Sequence, residues 1–311
     1  MALDIGIHTG PQNATYEDLR RVWRLADTSG FYWVSIWDHF FENPTVDARQ
    51  SCFEAVSILT ALAAETTNVR VGALVFCMAF RNPALLAKAA TTIDHVSKGR
   101  LELGLGAGWY QLEHESNGVP FRPVGERMDV LEEGVQIIKA MLTQGSATFK
   151  GKYFQVEDAY CYPRPLQDRP RIWVGGQGEK RTLRIVARYA DGWNVPYISP
   201  QVYRHKVHVL DDWCEKEDRD PAGITRTVNA GFYMGADQQS ADRLRNGFDQ
   251  TWGPLADDRR GGMLFGTASE VIDGIGAYVD AGAQGVNIAL RAPFDWEALQ
   301  VFVEEVMPAF V

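Results

Sequence analysis

The chain contains the stretch Arg171-Ile172-Trp173-Val174-Gly175-Gly176-Gln177-Gly178-Glu179-Lys180-Arg181-Thr182, in which a short apolar run leads through glycines into a region with apolar residues at helical spacing. The run has the length of a strand, and the region after it has the periodicity of a helix. A helix that follows a strand returns the chain to the end of the sheet where that strand began, so the next strand runs in the same direction. Repetition of such a unit therefore predicts parallel strands.

The same unit recurs along the chain. The predicted strands are Asp4–His8, Trp33–Ile36, Val69–Val75, Leu101–Leu105, Arg171–Val174, Gly192–Asn194, Arg226–Met234 and Gly285–Leu290. Eight strands of this kind close a (β/α)8 barrel, although an open doubly wound sheet shows a similar alternation. We therefore predict an α/β fold: a single (β/α)8 TIM barrel that spans residues 1–311 as one domain.

Local signals support the intervening helices. Two segments have the capping-box pattern that starts a helix, Thr15-Tyr16-Glu17-Asp18 and Thr267-Ala268-Ser269-Glu270. Two others place a polar cap residue before proline, Asn82-Pro83 and Ser199-Pro200. These positions predict four helix N-termini that agree with the alternation of strands and helices.

Two segments exceed a minimal barrel, at about residues 106–124 and 145–170. The first is a long loop before a helix predicted over Gly125–Leu142. The second contains Thr148–Phe154, which is typical of a short hairpin around a glycine turn. We expect both insertions to lie over the C-terminal face of the barrel.

Composition and charge exclude several classes of protein. The net charge of −9 disfavours binding to nucleic acid. The first residues lack the pattern of a signal peptide, and no run of apolar residues is long enough to cross a membrane. The cysteines are scattered, and no set of histidines has metal-ligand spacing. We expect a cytoplasmic protein that binds small molecules, without a metal.

In a barrel of this type, the residues just after each strand form the site. Here that rim is rich in aromatic residues and glycine: it includes His8, Trp37, Asp38, His39, Gly106, Ala107, Gly108, Trp109, Gly175, Gly176, Gln177, Gly178, Asn194, Tyr197 and Arg291. Such a rim suits a flat conjugated ring better than a sugar or a metal ion.

The loop Gly175–Gly178 has two interpretations. Glycines before a helix expose backbone amides to an anion, and Lys180 or Arg181 would add positive charge, which favours a phosphate site. Alternatively, the glycines satisfy only the backbone angles of a tight turn. The sequence of this loop leaves both open. The other glycine loop, Gly104–Trp109, lacks the third glycine of a dinucleotide fingerprint.

Asp38-His39 is the Asp-His pair that directly follows a predicted strand. An imidazole at this position would hydrogen-bond a cofactor or carry a proton, because its pKa lies near neutrality. The alternative is a buried histidine bound to the backbone. Glu113-His114-Glu115, in the first insertion, is a second candidate for the lining of a pocket.

Several segments together give the chain its resemblance to a known family. They are Trp37–Phe40, Arg81–Arg100, Leu103–Trp109, Gly125–Arg127, Val174–Gly178 and Ala190–Asn194. With them, the chain resembles the luciferase-like monooxygenase superfamily, and within it the oxidoreductases that depend on a deazaflavin, coenzyme F420. The resemblance runs nearly end to end and implies an eight-fold barrel.

The resemblance also implies roles for individual residues. Asp38 would hydrogen-bond the pyrimidine edge of the ring, and His39 would lie near the redox carbon. The backbone of Gly106, Ala107, Gly108 and Trp109 would line the ring, and Gly175, Gly176, Gln177 and Gly178 with Lys180 and Arg181 would hold the phosphate. A cis peptide bond behind the ring would join Leu74 and Val75.

One departure bears on the substrate. The sugar-phosphate dehydrogenases of this family carry a glutamate where this chain has Trp109, which leaves His39 or solvent to handle protons. We therefore expect an oxidoreductase that transfers a hydride between coenzyme F420 and a small to medium, largely apolar substrate. The alternatives are an FMN-dependent luciferase-like monooxygenase and a non-catalytic flavin-binding protein. The resemblance also implies a homodimer, the usual assembly in this family.

Overall fold

Eleven strands are present in the computed structural model, which describes residues 3–42 and 49–310. They are β1 (Asp4–Thr9), β2 (Trp33–Ile36), β3 (Arg70–Cys77), β4 (Leu101–Gly106), β5 (Ser146–Lys150), β6 (Gln155–Tyr160), β7 (Arg171–Gly175), β8 (Gly192–Pro196), β9 (Thr225–Met234), β10 (Met263–Gly266) and β11 (Gly285–Leu290). Parallel pairing runs through β1-β2-β3-β4-β7-β8-β9-β11 and back to β1. This closed barrel confirms the predicted TIM-barrel fold.

All eight predicted strands are present, but β10 was not predicted. It pairs in parallel with the last residues of β9, Gly231–Met234, beyond the part of β9 that pairs with β8. A run of four residues between glycines carries too little periodicity to predict a strand. The unit that contains β10 is therefore an addition to the minimal barrel.

The described helices surround the barrel or lie at its mouth. They are α1 (Tyr16–Thr28), α2 (Ala55–Glu65), α3 (Pro83–Val96), α4 (Gln111–Ser116), α5 (Val124–Gln144), α6 (Thr182–Tyr189), α7 (Pro200–Lys216), α8 (Gln238–Trp252), α9 (Ala256–Arg260), α10 (Ala268–Asp280) and α11 (Trp296–Val301). Both predicted capping boxes are formed, at Thr15 and Thr267. The side chains of Asn82 and Ser199 cap α3 and α7 as expected.

The two insertions lie in different places. The first contains α4 and lies at the mouth of the barrel, as expected. The second forms the β5–β6 hairpin, but its turn packs on α5, where backbone amides of 152–154 donate to the Glu133 carboxylate. It then returns to the end of α3, where the amides of Leu166 and Gln167 donate to Asp94. The hairpin flanks α5 instead of covering the mouth, because α5 ends at the opposite face.

Large side chains fill the barrel below the mouth. Trp33 Nε1 donates to Asn287 Oδ1 at 2.5 Å, and Trp173 Nε1 donates to Glu102 Oε2 at 2.5 Å. Both indoles are fully buried, with ring centroids 5.1 Å apart. The interior is therefore closed at this level, and open space remains at the C-terminal ends of the strands. None of the described helices is long and apolar enough to span a membrane.

Candidate active site

A cavity of about 560 Å³ lies at the C-terminal ends of the barrel strands. Its volume is in the range of small-molecule and cofactor sites. Most of the predicted site residues line it: Asp38, His39, Leu74, Val75, Gly106, Ala107, Gly108, Trp109, Gly175, Gly176, Gln177 and Gly178. The structure thus brings together the segments that follow β2, β3, β4 and β7.

His39 is held at the cavity wall by a buried carboxylate. Its Nδ1 lies 2.7 Å from Oε2 of Glu113, in α4. The other oxygen of Glu113 accepts hydrogen bonds from the backbone amides of Phe40, at 2.6 Å, and Phe41, at 3.2 Å. A carboxylate at this distance is placed to accept a hydrogen bond from Nδ1–H of the imidazole. The Glu113 side chain therefore fixes the orientation of the imidazole.

Aromatic rings surround this imidazole on the solvent side. The ring of His39 lies edge-on to Trp109 and Tyr110, at centroid distances of 5.9 and 6.3 Å. Trp109 and Tyr110 stack on each other at 5.1 Å, and Trp109 is 52% exposed. An exposed indole next to a cavity provides an apolar surface for a ligand.

Asp38 has partners other than those expected. Its two oxygens accept hydrogen bonds from both terminal nitrogens of Arg81. One of these oxygens also accepts a hydrogen bond from the Cys77 amide at 2.9 Å. Burial raises the pKa of Asp38, and the Arg81 guanidinium acts in the opposite direction. The Asp38 side chain is fully buried and holds the end of β3 in place through these bonds. Asp38 also lines the cavity, and its contact with the pyrimidine edge of a ring stays a prediction.

The far wall of the cavity is formed around Val75. The bond between Leu74 and Val75 is a non-proline cis peptide, as expected. A Cβ on Gly106 would lie 2.3 Å from Val75 Cγ2, and one on Gly175 would lie 2.6 Å from Val75 Cγ1. Both positions need glycine because the Val75 side chain occupies the space between them. The result is a smooth wall that fits a flat ring.

Two hydrogen bonds to residues of β8 hold the loop Gly175–Gly178 in place. The Gly176 amide donates to the Asn194 carbonyl at 3.0 Å, and Trp193 Nε1 donates to the Gly176 carbonyl at 2.8 Å. Gly176 has φ +127°, a conformation that favours glycine whatever the ligand, whereas Gly178 is outside that region. The turn interpretation therefore holds at Gly176, and the phosphate interpretation of the loop stays a prediction.

The two cations expected at this loop do not line the cavity. Arg181 pairs with Asp129 at 2.6 Å and with Glu132 at 3.4 Å, both on α5. Lys180 is exposed outside the cavity lining. Acidic side chains on the neighbouring helix bind Arg181, and the loop itself offers backbone amides and the N-terminus of α6. The contact of Lys180 and Arg181 with a phosphate stays a prediction.

A second histidine lies deeper in the cavity. His8 Nδ1 is 2.9 Å from Ser35 Oγ, and the ring meets Trp37 edge-on at 4.9 Å. Burial, followed by the charge of Arg291, lowers the pKa of His8 to about 3. His8 is therefore neutral near pH 7 and serves as a polar group without a charge.

Trp252 and Arg259 are among the cavity residues that the sequence analysis did not identify. They belong to α8 and α9, in the added unit before β10. The long interval between β9 and β11 was the signal that a further strand and helices lie there. Glu113 was a second candidate, and its bond to His39 makes it part of the site. Among the described residues, no cluster of histidine, cysteine or carboxylate side chains is placed to hold a metal ion.

Comparisons with known proteins identify the family of the chain. The family model described as luciferase-like monooxygenase matches residues 2–285. The F420-dependent glucose-6-phosphate dehydrogenase of Kineococcus radiotolerans is 32% identical over 238 residues, 74% of this chain and 67% of that protein. The pyrimidine monooxygenase RutA of Allorhizobium ampelinum is 34% identical over 140 residues, 44% of this chain and 37% of that protein. For several relatives, including RutA, the chain matches less than half of their length.

A solved structure shows the same fold. An F420-dependent secondary alcohol dehydrogenase in complex with an F420-acetone adduct has a TM-score of 0.85 and 20% identity, with 100% of both chains covered. The match to the family model over most of the chain, with relatives in the F420-dependent branch, is decisive. The chain therefore belongs to the luciferase-like monooxygenase family.

Proposed function

We propose that this protein transfers a hydride between bound coenzyme F420 and a small to medium, largely apolar organic substrate. The observation that carries the proposal is the His39–Glu113 pair at the wall of a cavity sized for a cofactor and a substrate. A bound deazaflavin would supply or accept the hydride. The relatives in the F420-dependent branch support this cofactor over FMN.

Different residues of the chain bind the cofactor ring, bind its phosphate and transfer the proton. Val75 with Gly106 and Gly175 forms the flat wall against which a ring packs. The amides after Gly176, with the N-terminus of α6, bind the cofactor phosphate. His39 Nε2 faces the cavity as a hydrogen-bond acceptor while Glu113 holds Nδ1. The imidazole is then placed to take a proton from a substrate hydroxyl or to return one to a carbonyl oxygen.

The rim supports an apolar substrate. Trp109 and Tyr110 present aromatic surface beside His39. Trp109 also stands where the sugar-phosphate dehydrogenases of the family have a carboxylate, so a sugar substrate would lose that partner. We infer that the substrate body packs on these rings, within reach of His39.

Parallel titration of the cofactor-free protein with F420 and with FMN tests the choice of cofactor. We expect F420 to bind at least tenfold more tightly, a difference of about 1.4 kcal/mol. The reduced complex should then transfer its hydride to a carbonyl panel in the absence of oxygen. Tighter binding of FMN with oxygen-dependent turnover would establish the monooxygenase alternative. Tight binding of F420 without turnover of any alcohol or carbonyl compound would support a non-catalytic binding protein.

A further inference from the structure

Two arginines lie against one indole in the wall of the cavity. The guanidinium carbon of Arg259 lies 5.6 Å from the ring centre of Trp252, and that of Arg291 lies 5.0 Å from it. Arg259 is also 4.8 Å from the ring centre of Tyr197, and Arg291 is 5.4 Å from that of Trp37. All five residues line the cavity. The site thus contains two cations held by aromatic faces.

The charge of Arg259 lacks a carboxylate among the residues that the structure describes. The neighbouring Arg260, in the same helix, pairs with Asp249, whereas the described ion pairs do not include Arg259. Burial, with the charge of Arg291, lowers the pKa of Arg259. A partly buried guanidinium without an ion-pair partner is costly unless an anion joins it. The surroundings of Arg259 therefore favour an anionic ligand.

The position of the two arginines separates them from the expected phosphate site. Arg291 follows β11, three strands around the barrel from β7, which precedes the glycine loop. Arg259 belongs to the added unit between β9 and β10. The cofactor ring, with its phosphate at the glycine loop, would leave this side of the cavity for the substrate.

We propose that Arg259 and Arg291 bind a carboxylate on the substrate, whose planar body packs on the rings of Trp109 and Tyr110. The substrate class is then an aromatic or other flat organic acid. Guanidinium groups match carboxylates in geometry, and the indole and phenol faces match a flat apolar body. The inference rests on the proposed function, since it assumes that the cofactor occupies the other side.

Benzoate and its neutral analogue benzamide are suitable probes, because they differ in charge but hardly in shape. Binding of each is measured by calorimetry and by quenching of tryptophan fluorescence, with and without F420. The variants are Arg259→Gln, which removes the charge, and Arg259→Lys, which keeps it. Arg260→Gln is the matched control, since it removes a charge one residue away that already has a partner.

We expect the parent protein to bind benzoate about tenfold more tightly than benzamide, the size expected for one charged hydrogen bond. Arg259→Gln should abolish that preference and leave benzamide affinity unchanged. Arg259→Lys should keep most of the preference, and Arg260→Gln should keep all of it. Unchanged benzamide affinity shows that the Arg259→Gln variant is folded around its site.

Equal affinities for benzoate and benzamide in the parent protein would overturn the proposal. It would also be overturned if Arg259→Gln weakened F420 binding as much as benzoate binding, because the arginines would then hold the anionic part of the cofactor. F420 titration of the same samples tests the proposed function separately. Absence of F420 binding, with the benzoate preference intact, would reject the cofactor and retain the anion site.

Discussion

Nδ1 of His39 lies 2.7 Å from Oε2 of Glu113, although the two residues are 74 positions apart in the chain. Glu113→Gln keeps an acceptor for the Phe40 and Phe41 amides but removes the anion that orients His39. We predict that turnover falls by about a hundredfold or more, as expected for the loss of a correctly held base. The affinity for F420 should change little, which a titration measures.

The control for this change is Glu115→Gln in the same helix. Glu115 is exposed and accepts a hydrogen bond from Gln111 at 2.5 Å. Its replacement should leave turnover and the pH profile of kcat unchanged. If Glu113→Gln also leaves that profile unchanged, Glu113 does not act through His39.

His39→Ala tests the imidazole itself. We predict a loss of turnover of roughly 10²–10⁴-fold, the usual contribution of a general acid or base. Cofactor affinity should fall far less, because the ring wall and the phosphate loop provide most of the contacts. Adding Glu113→Gln to this variant should cost no further activity, since the two groups act as one unit. Additive losses would contradict the pairing.

The phosphate loop is best tested at Gly178. Gly176 has φ +127°, so a side chain there strains the backbone. A variant at Gly176 would lose stability and cofactor affinity together, and the two effects could not be separated. At Gly178, a Cβ would meet mainly the Thr182 hydroxyl, 2.8 Å away, which can rotate. We predict that Gly178→Ala weakens F420 binding by about tenfold or more, the equivalent of one charge-assisted hydrogen bond.

A phosphate-free deazaflavin serves as the matched ligand for that test. Its affinity should be the same for Gly178→Ala and for the parent protein, because it makes no contact with the loop. An equal loss for both ligands would instead assign the effect to the ring wall and would remove the phosphate from this loop.

Stability should depend on pH through His8. Its pKa is lowered from 6.5 to about 3, so between these values the unfolded chain binds more protons than the folded one. Stability therefore falls as pH drops below about 6.5, by about 2 kcal/mol at pH 5. We predict that His8→Asn reduces the difference in unfolding free energy between pH 7 and pH 5 by that amount. Denaturant titration at both pH values measures it, with the exposed His208→Asn as control.

Much of the fold was predictable because each barrel strand is an apolar run with its own helix signals. The capping boxes at Thr15 and Thr267 depend only on neighbouring residues, so the sequence contains them in full. The course of the β5–β6 hairpin was not predictable. It depends on where α5 ends and on distant acceptors, Glu133 and Asp94.

In the candidate site too, local features were predictable from the sequence and long-range contacts were not. The position of His39 follows from its place after β2, but its partner Glu113 comes from an insertion whose course the sequence does not define. The partner of Asp38 is Arg81, and the partners of Arg181 are on α5; each is a long-range ion pair. Long-range pairs decide which charged groups remain for a ligand, and one sequence does not reveal them.

Strand β9 divides its hydrogen bonds among three neighbours. Thr225–Asn229 pair with β8 and Thr227–Gly231 with β11, whereas Gly231–Met234 pair with β10. The bonds that close the barrel and the bonds that attach the added unit therefore meet at a single residue, Gly231. Most of the unit that carries Trp252 and Arg259 lies beyond the part of β9 that closes the barrel. We therefore expect ligand preference to change in this sector with little effect on barrel closure.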